Sequence, residues 1–156
     1  MASDQTYLTK EGEEELRKEL QQLVEVRRPE LAQKLKEAVA QGDLKENADY
    51  HDAKEQQGFI EGRIQHIESI LRSAIIVEYE GPSDEVRIGS TVTIREDGED
   101  DDEIYKIVGA AEANPGEGKI SQKSPIGSAR IGKRKGSKVK VQTPNGEIKF
   151  RIIDIQ

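Results

Sequence analysis

Any chemistry in this chain has to come from oxygen. Its 156 residues include no Cys and two His. That removes thiol nucleophiles, thiolate metal sites and disulfides. His51 and His66 both fall in a helical stretch beside the apolar positions Tyr50 and Ile67. A solvated helix-face side chain is the ordinary reading of each. No glycine-rich phosphate cradle is present. What remains is a crowd of carboxylates, Asp43, Glu46, Asp49 and Asp52. Mg²⁺ prefers oxygen ligands and usually takes one or two protein carboxylates together with substrate oxygens. Two such acids could complete a metal site assembled elsewhere, but could not hold the ion well alone. By spacing alone, helix caps and a solvated loop are the plainer reading. Lys45 and Lys54 stand beside the acids. They are placed either to pair with them along a helix or to approach a nucleic-acid backbone.

These residues need a scaffold, and the flanking sequence describes one. Residues 9–41 are rich in Glu, Gln, Lys, Leu and Ala, with Gly12 the one glycine. Thr9 is a plausible N-cap, and Glu11 to Glu15 place acids in the first turn, where the helix dipole favours them. Leu16, Leu20 and Leu23 recur at helical spacing, and Leu31, Leu35 and Ala38 resume it. Pro29 lies between the two sets, which predicts a kink or short break near Arg27–Pro29. A second run, Tyr50, Ala53, Gln57, Ile60, Ile64, Ile67 and Leu71, alternates gaps of three and four. That is a heptad seam with Gln57 as its polar position. Gly58 and Gly62 weaken this helix, and either permit close helix approach or are simply tolerated. Between the runs, Gly42 can end one helix and Asp43 or Asn47 can cap the next. Helices joined by so short a link must run antiparallel. The expected result is a rod with an acidic tip at 42–47, within a first domain spanning 1–80.

The second half has another character. Cutting near Gly81-Pro82 leaves 11 basic and 18 acidic residues in 1–80, and 13 of each in 81–156. Glu96 to Glu103 holds seven acids in eight positions, so the remainder of that half has 13 basic against 6 acidic residues. Arg130, Lys133, Arg134, Lys135, Lys138 and Lys140 carry much of the excess. Ser90–Ile94 and Ile104–Val108 read as strands joined by the acidic loop. Lys138–Val141 and Glu147–Ile155 read as a hairpin around Asn145-Gly146. Ile120-Ser121 suggests a short strand, and Ser124-Pro125 the start of a helix ended by Gly132. The fold class is therefore α+β: a helical coiled-coil hairpin followed by a small antiparallel sheet domain with one helix.

Composition narrows the function classes. Hydrophobic residues are 33%, charged residues 35% and aromatics 4%, with a net charge of −7; mean hydropathy is −0.78. A rod with one narrow seam accounts for so little apolar content. No apolar run is long enough to span a membrane, and Met1 to Thr9 has no secretion-signal pattern. The expectation is a soluble cytoplasmic protein. Its net charge opposes independent DNA or RNA binding, because phosphates must be neutralised by Lys and Arg.

The stretch Gly42-Asp-Leu-Lys-Glu-Asn-Ala-Asp-Tyr-His51, followed by Ala53-Lys-Glu-Gln-Gln-Gly-Phe59 and Glu61-Gly-Arg-Ile64, resembles the tip of the bacterial Gre transcript cleavage factors. Val26-Arg-Arg-Pro-Glu30, Ile107-Val-Gly109, Ile120-Ser121, Ser124-Pro-Ile126, Ile131-Gly-Lys133, Thr143-Pro and Gly146-Glu147 follow the family in order. The resemblance covers nearly the whole chain. It implies a factor that binds bacterial RNA polymerase through a C-terminal domain similar to the FKBP fold, 81–156. The coiled coil would enter the secondary channel and stimulate the polymerase's own cleavage of backtracked RNA 3′ ends. By the same resemblance, Asp43 and Glu46 are the catalytic and metal-holding pair. They would share Mg²⁺ with the polymerase and bind none alone. Asn47, Tyr50, Lys54 and Lys45 would support the tip or touch the RNA, and Ser124, Pro125 and Ile126 would lie at the polymerase contact. The chain would not be an independent enzyme, and a monomer is expected. An FKBP-like shape does not bring prolyl isomerase activity with it.

One departure stands out: Val39 occupies a position, four before the tip Asp, that is basic in many relatives, which leaves Lys36 as its substitute. Two other readings compete with the cleavage factor. A Gre-like inhibitor would plug the channel without promoting cleavage, but the Asp-Leu-Lys-Glu-Asn tip is that of active factors. A coiled-coil adaptor would make the tip indifferent.

Overall fold

A computed structural model describes residues 5–78 and 83–156. The boundary expected at Gly81-Pro82 lies outside them. Two compact units are present. One is Glu13–Ser73; the other joins the described residues of Met1–Gly12 to those of Ala74–Gln156. A single cut after residue 80 therefore does not describe the packing. The reason is a short parallel strand pair: β1 (Tyr7–Thr9) aligns with β2 (Ile75–Val77), Tyr7 opposite Ile75 and Thr9 opposite Val77.

Thr9 caps the first helix, α1 (Lys10–Gln22), as its sequence position suggests. The Thr9 hydroxyl accepts the Gly12 N–H at 3.1 Å. Thr9 also donates its N–H to Glu112 at 2.8 Å, and its hydroxyl donates to the same carboxylate. Glu112 thus ties β1 to the turn at residues 109–112. Gly109 is required there, because a Cβ would lie 1.6 Å from the Tyr7 carbonyl oxygen.

In the helical unit, α1 passes without a break through a π-helical turn, Leu23–Arg27, into α2 (Arg28–Ala40). Of the kink or short break expected near Arg27–Pro29, the break is absent, and the helix is irregular at Leu23–Arg27 instead. The Arg28 N–H reaches back five residues to the Leu23 carbonyl, so the ladder changes spacing just before the proline. Pro29 then lies at the start of α2, and its missing N–H takes one bond out of the continuous ladder. The partner helix, α3 (Ala48–Ser73), is 26 residues long, about 39 Å at the usual rise.

Leu31, Ala53, Ile60 and Ile64 form the buried cluster between these helices, with Leu20, Leu23, Val24 and Leu35 packed against it. In the last turn of α3 it is Ile70 that is buried, while Leu71 is half-exposed. The apolar face there is wider than a strict heptad seam. Two bidentate ion pairs cross the hairpin. Arg28 meets Glu61 with both contacts at 2.8 Å, and Arg63 meets Glu19 at 2.9 and 2.7 Å.

The other unit holds a five-stranded sheet in the order β5-β4-β3-β7-β6. Its strands are β3 (Thr91–Glu96), β4 (Asp102–Val108), β5 (Lys119–Ser121), β6 (Lys138–Thr143) and β7 (Gly146–Ile155). The expected antiparallel sheet is in fact mixed, because β5 runs parallel to β4. The other pairings are antiparallel. Residues 97–101 of the acidic octet form the β3–β4 connection, while Glu96 ends β3 and Asp102 and Glu103 begin β4. Alternate residues Val92 and Ile94, Val139 and Val141, and Phe150 and Ile152 face one core with Val86, Ile107 and Ile120. Fully burying such a side chain is worth about 1.5–3 kcal/mol. The short helix α4 (Pro125–Arg130) adds Ile126 and Ala129 to this core.

Candidate functional site

The link between α2 and α3 is where the chain concentrates exposed carboxylates on a fixed backbone. Helix α2 stops because Gly42 adopts φ +96°, and its N–H bonds the Val39 carbonyl at 3.3 Å. A left-handed residue here lets the chain turn away while occupying a helix-end carbonyl. Asp43 to Glu46 are exposed throughout. The Asp43 Oδ1 accepts the Lys45 N–H at 3.2 Å, a local turn that holds the loop without using the second carboxylate oxygen.

Asn47 is the joint. Its Oδ1 accepts the Tyr50 N–H at 3.0 Å, capping α3, and its Nδ2 donates to the Ala38 carbonyl at 2.7 Å. One half-buried amide thereby satisfies orphan backbone groups at the end of one helix and the start of the next. His51, which the sequence offers only as a solvated residue, adds a second brace. Its Nε2 lies 3.2 Å from the Lys45 carbonyl, and its ring meets Tyr50 edge-on at 5.5 Å. A ring N–H donating to that carbonyl would fix the loop from the α3 side.

Held this way, Asp43, Glu46 and Asp49 line one open depression with Gln41, Gly42, Asn47 and Ala48. No Lys or Arg of the chain pairs with Asp43 or Glu46 among the described residues. Nor do the described residues contain a group of three or more His, Asp or Glu arranged to hold a metal ion. Two hard oxygen donors, exposed and uncommitted, match part of a Mg²⁺ shell. The remaining ligands would have to come from elsewhere.

The other residues singled out by sequence fall in three places. Lys45 is on the exposed loop, Lys54 is exposed on α3 with its Nζ 3.5 Å from Gln57 Oε1, and Tyr50 is half-buried in the first turn. Val39 is 50% exposed on α2, and Lys36, also exposed, lies one turn earlier. In the sheet unit, Ser124 caps α4. Its hydroxyl accepts the Gly127 N–H at 3.0 Å and donates to the Ser121 carbonyl at 2.8 Å. Pro125 is exposed beside it, and Ile126 is partly packed into the core. Of those three, Pro125 is therefore the side chain most available to a partner.

Family models for "Transcription elongation factor, N-terminal" and "Transcription elongation factor, GreA/GreB, C-term" match residues 6–76 and 81–156. The chain belongs to the GreA/GreB family of transcription elongation factors. It is 52% identical over 157 residues to the transcription elongation factor GreA of Roseiflexus sp. (strain RS-1), with both chains covered in full. Identity is 48% over 158 residues with GreA of Bacillus cytotoxicus, again over the full length of both. Among solved structures, GreA factor homolog 1 (Gfh1) of Thermus thermophilus is 32% identical. That match covers 97% of this chain and 99% of the other, with a TM-score of 0.45. The family's two models meet between residues 76 and 81, whereas packing groups β1 and β2 with the sheet unit.

Proposed function

We propose that this GreA/GreB-family chain binds bacterial RNA polymerase, inserts its helical hairpin into the secondary channel and stimulates the polymerase's own endonucleolytic cleavage of backtracked RNA 3′ ends. The observation that carries this reading is the tip: Asp43 and Glu46 are exposed, unpaired with any cation among the described residues, and set on a loop braced by Asn47 and His51. Such acids are of little use to the isolated protein. They become useful where a second molecule supplies the rest of a metal shell.

Asp43 and Glu46 are the residues that would hold a Mg²⁺ ion shared with the polymerase. That ion supplies Lewis-acid stabilisation of the phosphodiester oxygens and a more acidic bound water. Their carboxylates also orient the attacking water by accepting its hydrogens. Asn47 keeps both acids in place. Tyr50 supports the first turn of α3, while Lys45 and Lys54 contact the RNA backbone. Val39 contributes no charge, so Lys36 is the nearest cation on α2 to the RNA end. Pro125, presented by the Ser124 cap and flanked by Ile126, lies at the polymerase contact. The chain turns over nothing alone, is monomeric and acts in the cytoplasm.

The test is a stalled, backtracked polymerase complex given purified protein. Shortened RNA followed by resumed extension supports the proposal. Blocked extension with no shortening would make the chain a channel-plugging inhibitor. No effect on the polymerase would leave it an adaptor.

A further inference from the structure

Two strands of the sheet carry cations directly opposite one another. On the exposed face of the β6–β7 hairpin, Lys138 is in register with Arg151, and Lys140 with Lys149. On its other side Arg151 faces Arg95 of β3, and Arg95 is already committed to Asp102 at 2.8 Å. None of the four hairpin side chains has an ion-pair or hydrogen-bond partner among the described residues. Like charges directly opposite on a sheet are destabilising. Lysines on an edge strand often guard against edge-to-edge pairing, and that would account for Lys138 and Lys140 on β6. It does not account for Lys149 and Arg151, because β7 is paired on both sides.

We propose that Lys138, Lys140, Lys149 and Arg151 form a docking surface for the phosphate backbone of single-stranded nucleic acid. The four form a rectangle, about 5 Å across the strands and about 6.7 Å along them. Protein interfaces are depleted in Lys at their cores, whereas phosphate contacts use Lys as a point charge. Three of these four cations are Lys. Phe150, the one aromatic of these two strands, turns to the other side and is 5% exposed. With no ring on this face to stack a base, contact is with the backbone and independent of sequence. The acidic octet at the β3–β4 connection and the net charge of −7 keep this binding weak and strongly salt-dependent. The site belongs to the sheet unit and does not depend on the cleavage role.

The experiment is fluorescence anisotropy of a labelled, mixed-sequence single-stranded RNA oligonucleotide with the full-length protein. Each neutralised single-strand phosphate contributes about 0.7 to the salt slope, so four contacts predict affinity falling about 50-fold between about 50 and 200 mM salt. Lys149→Gln with Arg151→Gln should halve the logarithmic slope, and changing all four to Gln should abolish binding. Replacing the three lysines with Arg should preserve both binding and slope. Replacing Lys18 and Lys34, exposed lysines of the helical unit, with Gln should change neither. Thermal melting checks folding: the four-Gln variant should melt no lower than wild type, since repulsion is relieved. Equal binding by wild type and the folded four-Gln variant would overturn the proposal. So would loss of binding in the Lys18/Lys34 variant alone. A four-Gln variant that binds RNA normally but polymerase weakly would also overturn it, assigning the face to an acidic protein surface.

Discussion

The side chain of Asn47 donates to the main-chain carbonyl of Ala38 at 2.7 Å, joining the last turn of α2 to the first residues of α3. With its other amide atom capping Tyr50, Asn47 fixes the frame in which Asp43 and Glu46 sit. Asn47→Ala removes both bonds and should cost about 1–2 kcal/mol. Asn47→Asp keeps the cap acceptor and loses the donor, so it should recover about half. Thermal melting gives the cost. Amide exchange should show faster opening at Asp43–Tyr50 in the Ala variant than in the Asp variant.

Gly58 and Gly62 lie in exposed positions of α3, and a Cβ at either would meet nothing within 4 Å. Of the two roles their sequence positions allow, close helix approach is thereby excluded within the hairpin. Ala at each position should raise stability by about 1 kcal/mol, the usual glycine penalty in a helix interior. Melting of the single and double variants checks this. Unchanged melting would show that the helix interior is not where these glycines act.

Arg130 is 1% exposed, its guanidinium nitrogens lack hydrogen-bond partners, and its Cζ lies 5.1 Å from the Tyr105 ring and 5.3 Å from the Phe150 ring. Burial pushes its pKa down from the ordinary guanidinium range to about 10. A folded-state value below the unfolded one means that the fold disfavours the charged form. The penalty is complete below about pH 10 and is relieved as pH rises above it. Arg130→Met, which keeps the packing without the charge, should be neutral or stabilising by about 1–4 kcal/mol at pH 7. Arg130→Ala should destabilise by opening a cavity. The melting difference between wild type and the Met variant should narrow above pH 10.

Glu61 has the opposite sign. Its hydrogen bonds with the Arg28 guanidinium hold its carboxyl below the ordinary 4.5. The pair's contribution is therefore present in full above that value and is lost as pH falls through the lowered one. Glu61→Gln should melt lower than wild type at neutral pH, and the difference should close in acid. A difference that persists in acid would assign the effect to packing instead of charge.

The tip was legible in the sequence because its devices are local. Gly42 lies three residues from the Val39 carbonyl and Asn47 three from the Tyr50 N–H that it caps, whereas the bond from Asn47 to Ala38 spans nine residues and carries no sequence signal. The alternation of Val, Ile and Phe likewise exposes the sheet core to reading. What escaped depends on distant partners. Tyr7–Thr9 and Ile75–Val77 are three-residue strands paired across the whole helical unit, too short for a periodicity to appear. Glu112 looks like any loop acid until its carboxylate is seen on Thr9. Arg130 counts as surface charge in a tally, yet packing buries it between two rings. Pro29 predicts a kink or short break, and the irregularity comes as a π-turn immediately before it, through which the helix continues. His51 looks like a solvated helix-face residue in the sequence because its partner, the Lys45 carbonyl, has no sequence signature.

The most direct test of the central claim is single-turnover RNA cleavage by a backtracked polymerase complex, measured with wild type and with Asp43→Asn/Glu46→Gln protein at matched polymerase occupancy. Both substitutions keep size and polarity and remove only the anionic ligands. The account predicts unchanged melting and polymerase binding, with stimulated cleavage lost by about 100-fold or more, as expected when metal-based charge stabilisation is removed. Full stimulation by the variant at matched occupancy would contradict it.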